Sequence, residues 1–150
     1  MKLVFDASAL LNMIRQLGSK SLEYLRGGFI LTLTPYEVGN ALWKEATLIG
    51  RISVDEALTL LGLVKGIYRI MNMVSPHDTC LVLRVAHDLK ITYYDSSYII
   101  ASHELNTGLV TDDEKFRKRV RERIEILTRI LGREIKLYST EEIASRKEKL

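Results

Sequence analysis

The chain has 150 residues, of which 47% are hydrophobic and 27% are charged, and its formal net charge is +3. This length suffices for one well-filled core and is too short for two ordinary domains, so we expect a single domain over residues 1–150. Charges at Lys65 and Arg69 interrupt the longest apolar stretch, and the N-terminus lacks a secretion-signal pattern, which predicts a cytoplasmic protein without a membrane span. Cys80 is the single cysteine and the three histidines are scattered, which excludes an internal disulfide and leaves oxygen ligands for any metal ion.

Short apolar strands alternate with segments of helical periodicity along the whole chain. In chain order, the predicted elements are a strand over residues 2–6, helices over 8–16 and 19–26, a strand over 29–33, helices over 34–49, 54–73 and 75–88, a strand over 91–94, a helix over 96–105, a strand over 109–111, a helical region over 116–131, an edge strand over 135–138 and a C-terminal helix from Ser139. This alternation is typical of βα units. It predicts an α/β fold, a three-layer sandwich with a central, mainly parallel sheet.

Two of the predicted helices begin with capping patterns. Pro35 stands at the first position of one helix, and the spacing of Thr34 and Glu37 is that of a capping box. The sequence from Ser53 to Glu56 repeats the spacing at the start of the next helix. These patterns predict where both helices begin.

The helix predicted over residues 54–73 is apolar on more than one side. Gly62 and Gly66 lie one turn apart on it and would let a second helix approach closely. Simple core packing is one interpretation, and contact with a second subunit is the other. We expect a homodimer on this ground.

Acidic residues recur where an apolar strand gives way to a helix: Asp6, Glu37, Asp95, and the adjacent pair Asp112 and Asp113. In a parallel sheet the strand-to-helix turns all open at one edge, so we expect these distant acids to converge there. Clustered carboxylates repel one another and persist mainly where cations hold them together. The pattern predicts a Mg²⁺ or Mn²⁺ site.

Each acid also has a purely structural explanation. Asp6 and Asp95 are able to cap the helices that follow them, and Glu37 stands where a capping box places a glutamate. Because Asp112 and Asp113 are adjacent, we expect one of them to point into the pocket while the other caps a helix or stays solvated. Repetition at one sheet edge favours the shared site over separate caps. The hydroxyls of Ser8 and Thr111 are candidates to orient carboxylates or waters there.

A basic stretch directly follows the acidic pair. It comprises Lys115, Arg117, Lys118, Arg119, Arg121 and Arg123. A cationic surface beside an acidic pocket suits a protein that handles a phosphate backbone, and a solvated helix face is the alternative. Lys115, Lys118 and Arg119 are our candidates for contact with RNA.

Four sequence blocks, in this order, carry a resemblance to a known family. They are Phe5-Asp6-Ala7-Ser8-Ala9-Leu10, Glu37 followed by Val38-Gly39-Asn40-Ala41-Leu42, Tyr94-Asp95-Ser96-Ser97-Tyr98, and Leu109-Val110-Thr111-Asp112-Asp113-Glu114-Lys115-Phe116. Each block is weak alone, but the ordered set resembles the motifs of PIN-domain ribonucleases, and its order and length are similar to those of the small VapC toxins. The resemblance covers essentially the whole chain and implies a PIN-like fold.

The resemblance also implies roles for individual residues. Asp6, Glu37, Asp95 and Asp113 match the catalytic acidic quartet of the family, and Asp6, Asp95 and Asp113 match its metal ligands. Asp113 is preferred over Asp112 because the family pattern is Thr, any residue, Asp, then Phe three positions further on. The extra acid at Asp112 leaves the fourth position partly open.

The implied activity is Mg²⁺- or Mn²⁺-dependent endonucleolytic cleavage of RNA by a toxin that a VapB-type antitoxin holds inactive. Single-stranded or looped RNA is the easier substrate for a concave pocket. Tyr36, Tyr93 and Tyr94 are candidates to stack on a base, although core packing is the more common role of tyrosine.

Two other classes of function compete with a nuclease. A Mg²⁺-dependent phosphatase or phospho-aspartyl domain also uses an Asp at a strand end, but the phosphatase needs a second acid two residues later, where this chain has Ser8. A phospho-aspartyl receiver would also need a lysine at a late strand end, and none is predicted here. The other class is a PIN-like domain that binds RNA or protein without cleaving.

Overall fold

The central sheet has five strands, all parallel. A computed structural model of the chain describes residues 2–147. The strands are Val4–Phe5 (β1), Phe29–Leu31 (β2), Asn72–Val74 (β3), Leu109–Val110 (β4) and Leu137–Tyr138 (β5). Their order in the sheet is β3-β2-β1-β4-β5, with β1 in the centre. The predicted α/β fold with a parallel sheet is confirmed, and residues 137–138 do form an edge strand.

The central strand separates two apolar layers. Successive side chains of a strand point to opposite faces of the sheet. Phe5 accordingly packs into the cluster that contains Leu10 and Val64, whereas Val4 packs into the cluster that contains Val85 and Ile99. Both strand residues are fully buried, which explains why a run of consecutive apolar residues forms this strand. The result is the expected three-layer sandwich.

Helices cover both faces of the sheet. Their bounds are Ala7–Leu17 (α1), Leu22–Leu25 (α2), Thr34–Trp43 (α3), Val54–Tyr68 (α4), Thr79–Leu89 (α5), Tyr93–Glu104 (α6), Glu114–Glu122 (α7), Ile124–Leu131 (α8) and Thr140–Lys147 (α9). A short 3-10 turn, Gly18–Ser21, precedes α2, and a wider π-type segment, Lys44–Ile49, extends α3. The clusters assign α1, α3 and α4 to one face and α5 to α8 to the other.

The strand predicted over residues 91–94 does not exist. Thr92 is instead the N-cap of α6, and its hydroxyl accepts from the backbone N–H of Asp95 at 3.0 Å. Tyr93 and Tyr94 form the first helical turn. The aromatic and β-branched residues at positions 91–94 favour a strand by propensity. The N-cap Thr92 and the helix α6 that follows it determine the structure instead. Asp95 therefore enters the site from a helix that follows α5, and not from a strand end.

The helix predicted over residues 54–73 ends earlier, at Tyr68. Its last predicted residues belong to β3, which pairs only with β2 and forms the other edge of the sheet. The side-chain amide of Asn72 donates to Gly27 O at 2.9 Å and helps to hold this edge. Because Met73 is exposed, the strand lacks the buried alternation by which sequence patterns reveal strands.

Further boundaries differ from the prediction. The helix expected from Ser75 begins at Thr79, after the N-cap Asp78. The region 116–131 consists of two helices that meet at Arg123.

Gly108 lies between the end of α6 at Glu104 and the start of β4 at Leu109. A Cβ atom at Gly108 would lie 2.6 Å from the ring of Tyr138, so the close approach of β4 to β5 requires glycine there.

In the part of the chain covered by residues 2–147, none of the helices has the length and apolar character needed to span a bilayer.

Candidate active site

Asp6 lies at the carboxyl end of β1 and caps α1. Its Oδ1 accepts from the backbone N–H of Ala9 at 2.9 Å and from the hydroxyl of Ser8 at 2.7 Å. The residue is only 7% exposed. Burial raises the pKa of the Asp6 carboxyl to about 6, although hydrogen bonds from Thr111, Ala9 and Ser8 oppose the shift. Asp6 is thus both a helix cap and a buried acid, so its structural role as a cap does not exclude a role in the shared acidic site.

Both predicted hydroxyl residues contact the site. Ser8 donates to Asp6 and accepts from the backbone N–H of Asp112 at 3.0 Å. Thr111 is fully buried, hydrogen-bonds to Asp6, and accepts from the backbone N–H of Asp113 at 3.2 Å. The two hydroxyls connect the turn after β1 to the turn after β4, so they fix the relative position of these turns.

Glu37 is held by a tyrosine and not by a capping box. The predicted box is wrong, since Leu33 is the N-cap of α3 and no side chain caps it. The hydroxyl of Thr34 instead accepts from Leu31 N–H at 2.9 Å, and Glu37 accepts from the hydroxyl of Tyr98 at 2.6 Å. Glu37 is therefore free of the local role that a capping box would have given it, and its carboxylate is aimed by α6.

The contact between Tyr98 and Glu37 belongs to a buried network. The hydroxyls of Thr34 and Tyr98 lie 2.7 Å apart, so the chain runs from the β2 backbone through Thr34 and Tyr98 to Glu37. Burial raises the pKa of Glu37, the Tyr98 hydrogen bond lowers it, and the charges of Asp95 and Asp113 raise it. The pKa of Tyr98 is raised, first by burial and then by the charge of Glu37, so this hydroxyl remains a donor.

Asp95 lies in the first turn of α6, three residues after the cap Thr92, and it is not itself the N-cap. It is half-buried. Burial raises the pKa of its carboxyl, the charge of Asp113 raises it further, and the hydrogen bond with Thr92 lowers it. Within residues 2–147 the side chain of Asp95 takes part in no ion pair. The charge that acts on it is therefore that of another acid, Asp113.

Asp112 and Asp113 have different environments. Asp112 Oδ1 accepts from the Thr140 N–H at 2.8 Å, and its Oδ2 accepts from the Thr140 hydroxyl at 2.7 Å and from the Asn12 amide at 2.9 Å. Asp113 caps α7 by accepting from the Phe116 N–H at 3.0 Å, and its exposed side chain acts electrostatically on Glu37 and Asp95. Asp112 thus ties α9 and α1 to the site, and Asp113 faces the other acids.

The four acids Asp6, Glu37, Asp95 and Asp113 form one electrostatically connected group. Glu37 acts on Asp6, Asp95 and Asp113 act on Glu37, and Asp113 acts on Asp95. Within residues 2–147, however, no three Asp, Glu, His or Cys side chains already form a cluster able to hold a metal ion. The carboxylates are neighbours whose mutual repulsion is reduced only by protonation or by a cation.

A groove beside this group carries the predicted basic residues. It has a volume of about 540 Å³, and both Asp95 and Asp113 line it. Its cationic lining consists of Lys90, Lys115, Lys118 and Arg119. Basic side chains and carboxylates therefore share one surface, as expected for a site that accepts a phosphate chain close to a cation. Lys90 was absent from the predicted set because it follows α5 and not the acidic pair.

The three tyrosines next to the acids are not core residues. Tyr36 is 82% exposed, Tyr94 is 61% exposed and Tyr93 is 43% exposed. The favoured interpretation from sequence, core packing, is therefore wrong for all three.

Several residues that organise the site were not found from the sequence. Tyr98 belongs to one of the four motif blocks but has no predicted role, and no sequence pattern predicts that Thr34, Asn12 and Thr140 contact the network of the acids. Tyr98 had a usable signal, since its position three residues after Asp95 places both on one side of a helix. Asn12 and Thr140 gave none, because each meets Asp112 through tertiary structure alone.

Three proteins of Pyrobaculum aerophilum are similar to this chain. It is 38% identical to exonuclease VapC9 over 99 residues, and this match covers 66% of this chain and 71% of VapC9. It is 28% identical to ribonuclease VapC3 over 124 residues, and this match covers 77% of this chain and 92% of VapC3. The crystal structure of PAE2754 matches with a TM-score of 0.75 and 28% identity, over 100% of this chain and 97% of that one. No protein-family model matches the chain.

Proposed function

Because the chain belongs to the VapC family of PIN-domain nuclease toxins, we propose that it is a metal-dependent endoribonuclease and the toxin of a VapBC-type pair. The observation that carries the proposal is the connected group of Asp6, Glu37, Asp95 and Asp113 beside a cationic groove. Elements separated by long stretches of chain deliver these four carboxylates to one region. A binding domain without catalysis would have no need to concentrate repelling charges there.

We assign Asp6, Asp95 and Asp113 as the residues that would hold Mg²⁺ or Mn²⁺. Carboxylate oxygens are the donors that these cations prefer. Mg²⁺ commonly keeps several waters and binds through one or two carboxylates together with substrate phosphates, so neighbouring but unclustered carboxylates suit it. When bound, the cation would activate a water and neutralise charge on the scissile phosphate.

The protein's own residues supply position and charge. Ser8 and Thr111 hold Asp6 in one orientation, and Tyr98 holds Glu37. We assign Glu37 to orient the attacking water, because Tyr98 fixes its carboxylate and it is not one of the three acids assigned to the cation. Its position at hydrogen-bonding distance from a fixed donor is what preorganised catalysis requires.

We assign the cationic groove to the RNA backbone. Lys115 and Lys118 are exposed, and Arg119 is half-buried on the same helix. Their charges offset those of the carboxylates and attract phosphates into the groove. Backbone contacts of this kind position the substrate without reading its sequence.

We further propose a VapB-type antitoxin as the protein partner and a homodimer as the assembly. Family membership supports the antitoxin. Leu58 and Leu61 are exposed on one side of α4, and an apolar helix face of this kind is typical of a subunit contact. The exposure of Leu58 and Leu61 disfavours core packing, which was the alternative interpretation of this helix from its sequence.

The proposed activity is tested with a circular and a linear single-stranded RNA of the same sequence, each incubated with the protein in Mg²⁺, Mn²⁺ or EDTA. An endonuclease cuts both substrates, and only in the presence of the cation. Cleavage of the linear RNA alone would identify an exonuclease instead. Binding without products in either cation would favour the non-catalytic binder.

A further inference from the structure

We propose that Tyr36, Tyr93 and Tyr94, here called the tyrosine rim, form a platform on which the bases of single-stranded RNA stack while its backbone follows the cationic groove. This inference rests on the proposed function, because it concerns the substrate of the same site. It assigns base contact to residues outside the acidic group and outside the basic helix. It also predicts that the protein distinguishes a strand with bases from a bare sugar-phosphate chain.

The distribution of tyrosines carries the first step. The chain has seven tyrosines. Four are buried or half-buried, namely Tyr24, Tyr68, Tyr98 and Tyr138, and the three exposed ones are those of the rim. Every exposed tyrosine thus lies within two residues of Glu37 or Asp95. When the exposed tyrosines of a protein lie near one site and its other tyrosines are buried or half-buried, the exposed rings indicate a contact surface.

The rim belongs to one rigid surface. Tyr36 lies in the first turn of α3, and Tyr93 and Tyr94 form the first turn of α6. The network of Thr34, Tyr98 and Glu37 joins the first turn of α3 to the second turn of α6 through contacts of 2.6 and 2.7 Å, one turn beyond Tyr93 and Tyr94. Rings on such preorganised turns lose little conformational entropy when they bind a ligand.

The groove is lined by sequence neighbours of Tyr93 and Tyr94, although the rings themselves lie outside its lining. Thr92 and Asp95 both line the groove, and they stand on either side of Tyr93 and Tyr94 in the sequence. A strand whose phosphates lie along Lys115 and Lys118 would therefore carry its bases toward the first turn of α6. Charge complementarity favours RNA as the occupant, since a polyanion meets the lysines while its bases meet the rings.

The test measures binding of two labelled oligomers by fluorescence anisotropy at low salt in Mg²⁺. One is a single-stranded oligoribonucleotide, and the other is an abasic ribose-phosphate oligomer of equal length. The parent protein carries Asp113→Asn to suppress cleavage. Tyr36→Ala and Tyr94→Ala are each expected to weaken binding of the oligoribonucleotide by roughly 5- to 100-fold and to leave binding of the abasic oligomer unchanged.

Two controls separate stacking from other effects. Tyr36→Phe and Tyr94→Phe keep the ring and should retain parental binding, whereas loss in these variants would assign the effect to the hydroxyl. Leu83→Ala removes an exposed apolar side chain that lines a different groove and should change neither oligomer's binding.

The proposal is overturned if the alanine variants bind the oligoribonucleotide as the parent does, if they lose both oligomers equally, or if the parent binds neither. The first outcome would leave a protein partner as the occupant of the rim. Because the assay measures binding, its failure is distinct from failure of the proposed nuclease. A protein that stacks bases without cleaving would refute only the nuclease, and one that cleaves without using the rim would refute only the platform.

Discussion

The hydroxyl of Tyr98 donates to Glu37 Oε1 at 2.6 Å and so joins α6 to an acid of α3. The same hydroxyl lies 2.7 Å from that of Thr34, which holds the backbone at the end of β2. Tyr98 is buried, so this donor competes with little water. The geometry makes Tyr98 a positioning residue for Glu37, and its effect is measurable.

Tyr98→Phe removes the donor and leaves the ring. A hydrogen bond to a charged group contributes about 1.5–3 kcal/mol, so we expect the cleavage rate to fall roughly 10- to 100-fold with little change in KM for RNA. Since the bond lowers the pKa of Glu37, its loss raises that pKa further. The acidic limb of the pH–rate profile should therefore move to higher pH, as measured by steady-state kinetics across pH.

Tyr68→Phe is the matched control for this substitution. The Tyr68 hydroxyl is buried, and it has no hydrogen-bond partner among residues 2–147. Removing it should leave cleavage unchanged and leave stability equal or higher. A Tyr98→Phe protein with the parental rate and pH profile would remove Tyr98 from the positioning role.

Asp6 makes the stability of the cation-free protein depend on pH. Its pKa is about 6 in the folded protein against an ordinary value of 3.8, so the folded state binds more protons than the unfolded state between these values. The contribution of Asp6 to the free energy of unfolding is therefore highest below about pH 4. It falls by up to about 3 kcal/mol as the pH rises through 6. Above that pH the loss is complete.

Asp6→Asn removes this penalty and keeps an amide oxygen that caps α1. We expect the variant to be more stable than the wild type above pH 6, to approach it toward pH 4, and to lack cleavage activity. Urea unfolding of both proteins across this range gives the difference and cancels the contributions of other groups. A difference that is constant with pH would show that Asp6 is not the buried acid inferred here.

Asp112 and Asp113 should have opposite phenotypes. Asp112→Ala leaves Thr140 and Asn12 without their carboxylate, so we expect a loss of stability of about 2–3 kcal/mol and retained cleavage below the unfolding temperature. Asp113→Asn keeps a good N-cap, so stability should stay within about 0.5 kcal/mol while cleavage is lost. Thermal unfolding and cleavage assays on both variants decide between the two acids. The reverse pattern would make Asp112 the fourth acid of the site.

The cationic groove predicts a salt effect. Arg119→Ala removes one groove charge, and the slope of log affinity for single-stranded RNA against log salt concentration should become shallower by about 0.7. Arg129→Ala is the control, because Arg129 is exposed on α8 and lines another groove. Titrations at several salt concentrations measure both slopes. Equal changes in the two variants would indicate that general charge, and not the groove, attracts the RNA.

Sequence alone predicted the parts of the fold that depend on periodicity. The apolar run before Asp6 forms the central strand, and the alternation of strands and helices gives the parallel sheet. It also predicted that acids near helix starts share one region, because strand-to-helix turns meet at one sheet edge. Asp95 joins them although its expected strand is absent, since the first turn of α6 reaches the same edge.

The remaining features depend on tertiary structure. The strand β3 is short, exposed and paired on one side, so its sequence resembles the end of the helix before it. The bond from Tyr98 to Glu37 spans 61 positions, and that from Thr140 to Asp112 spans 28. No local pattern contains such pairs. The exposure of Tyr36 was likewise hidden, because whether a tyrosine faces the core or the solvent depends on how the helices pack.

The most direct test of the account compares wild-type protein with Asp6→Asn on a total-RNA pool in Mn²⁺, Mg²⁺ and EDTA, with the new 5′ ends mapped by sequencing. The account predicts discrete internal cleavage sites for the wild type in the divalent cations, none in EDTA, and none for the folded variant in any condition. Internal cleavage that persists in EDTA, or that Asp6→Asn retains at the wild-type rate, would contradict a carboxylate site that acts through a bound cation.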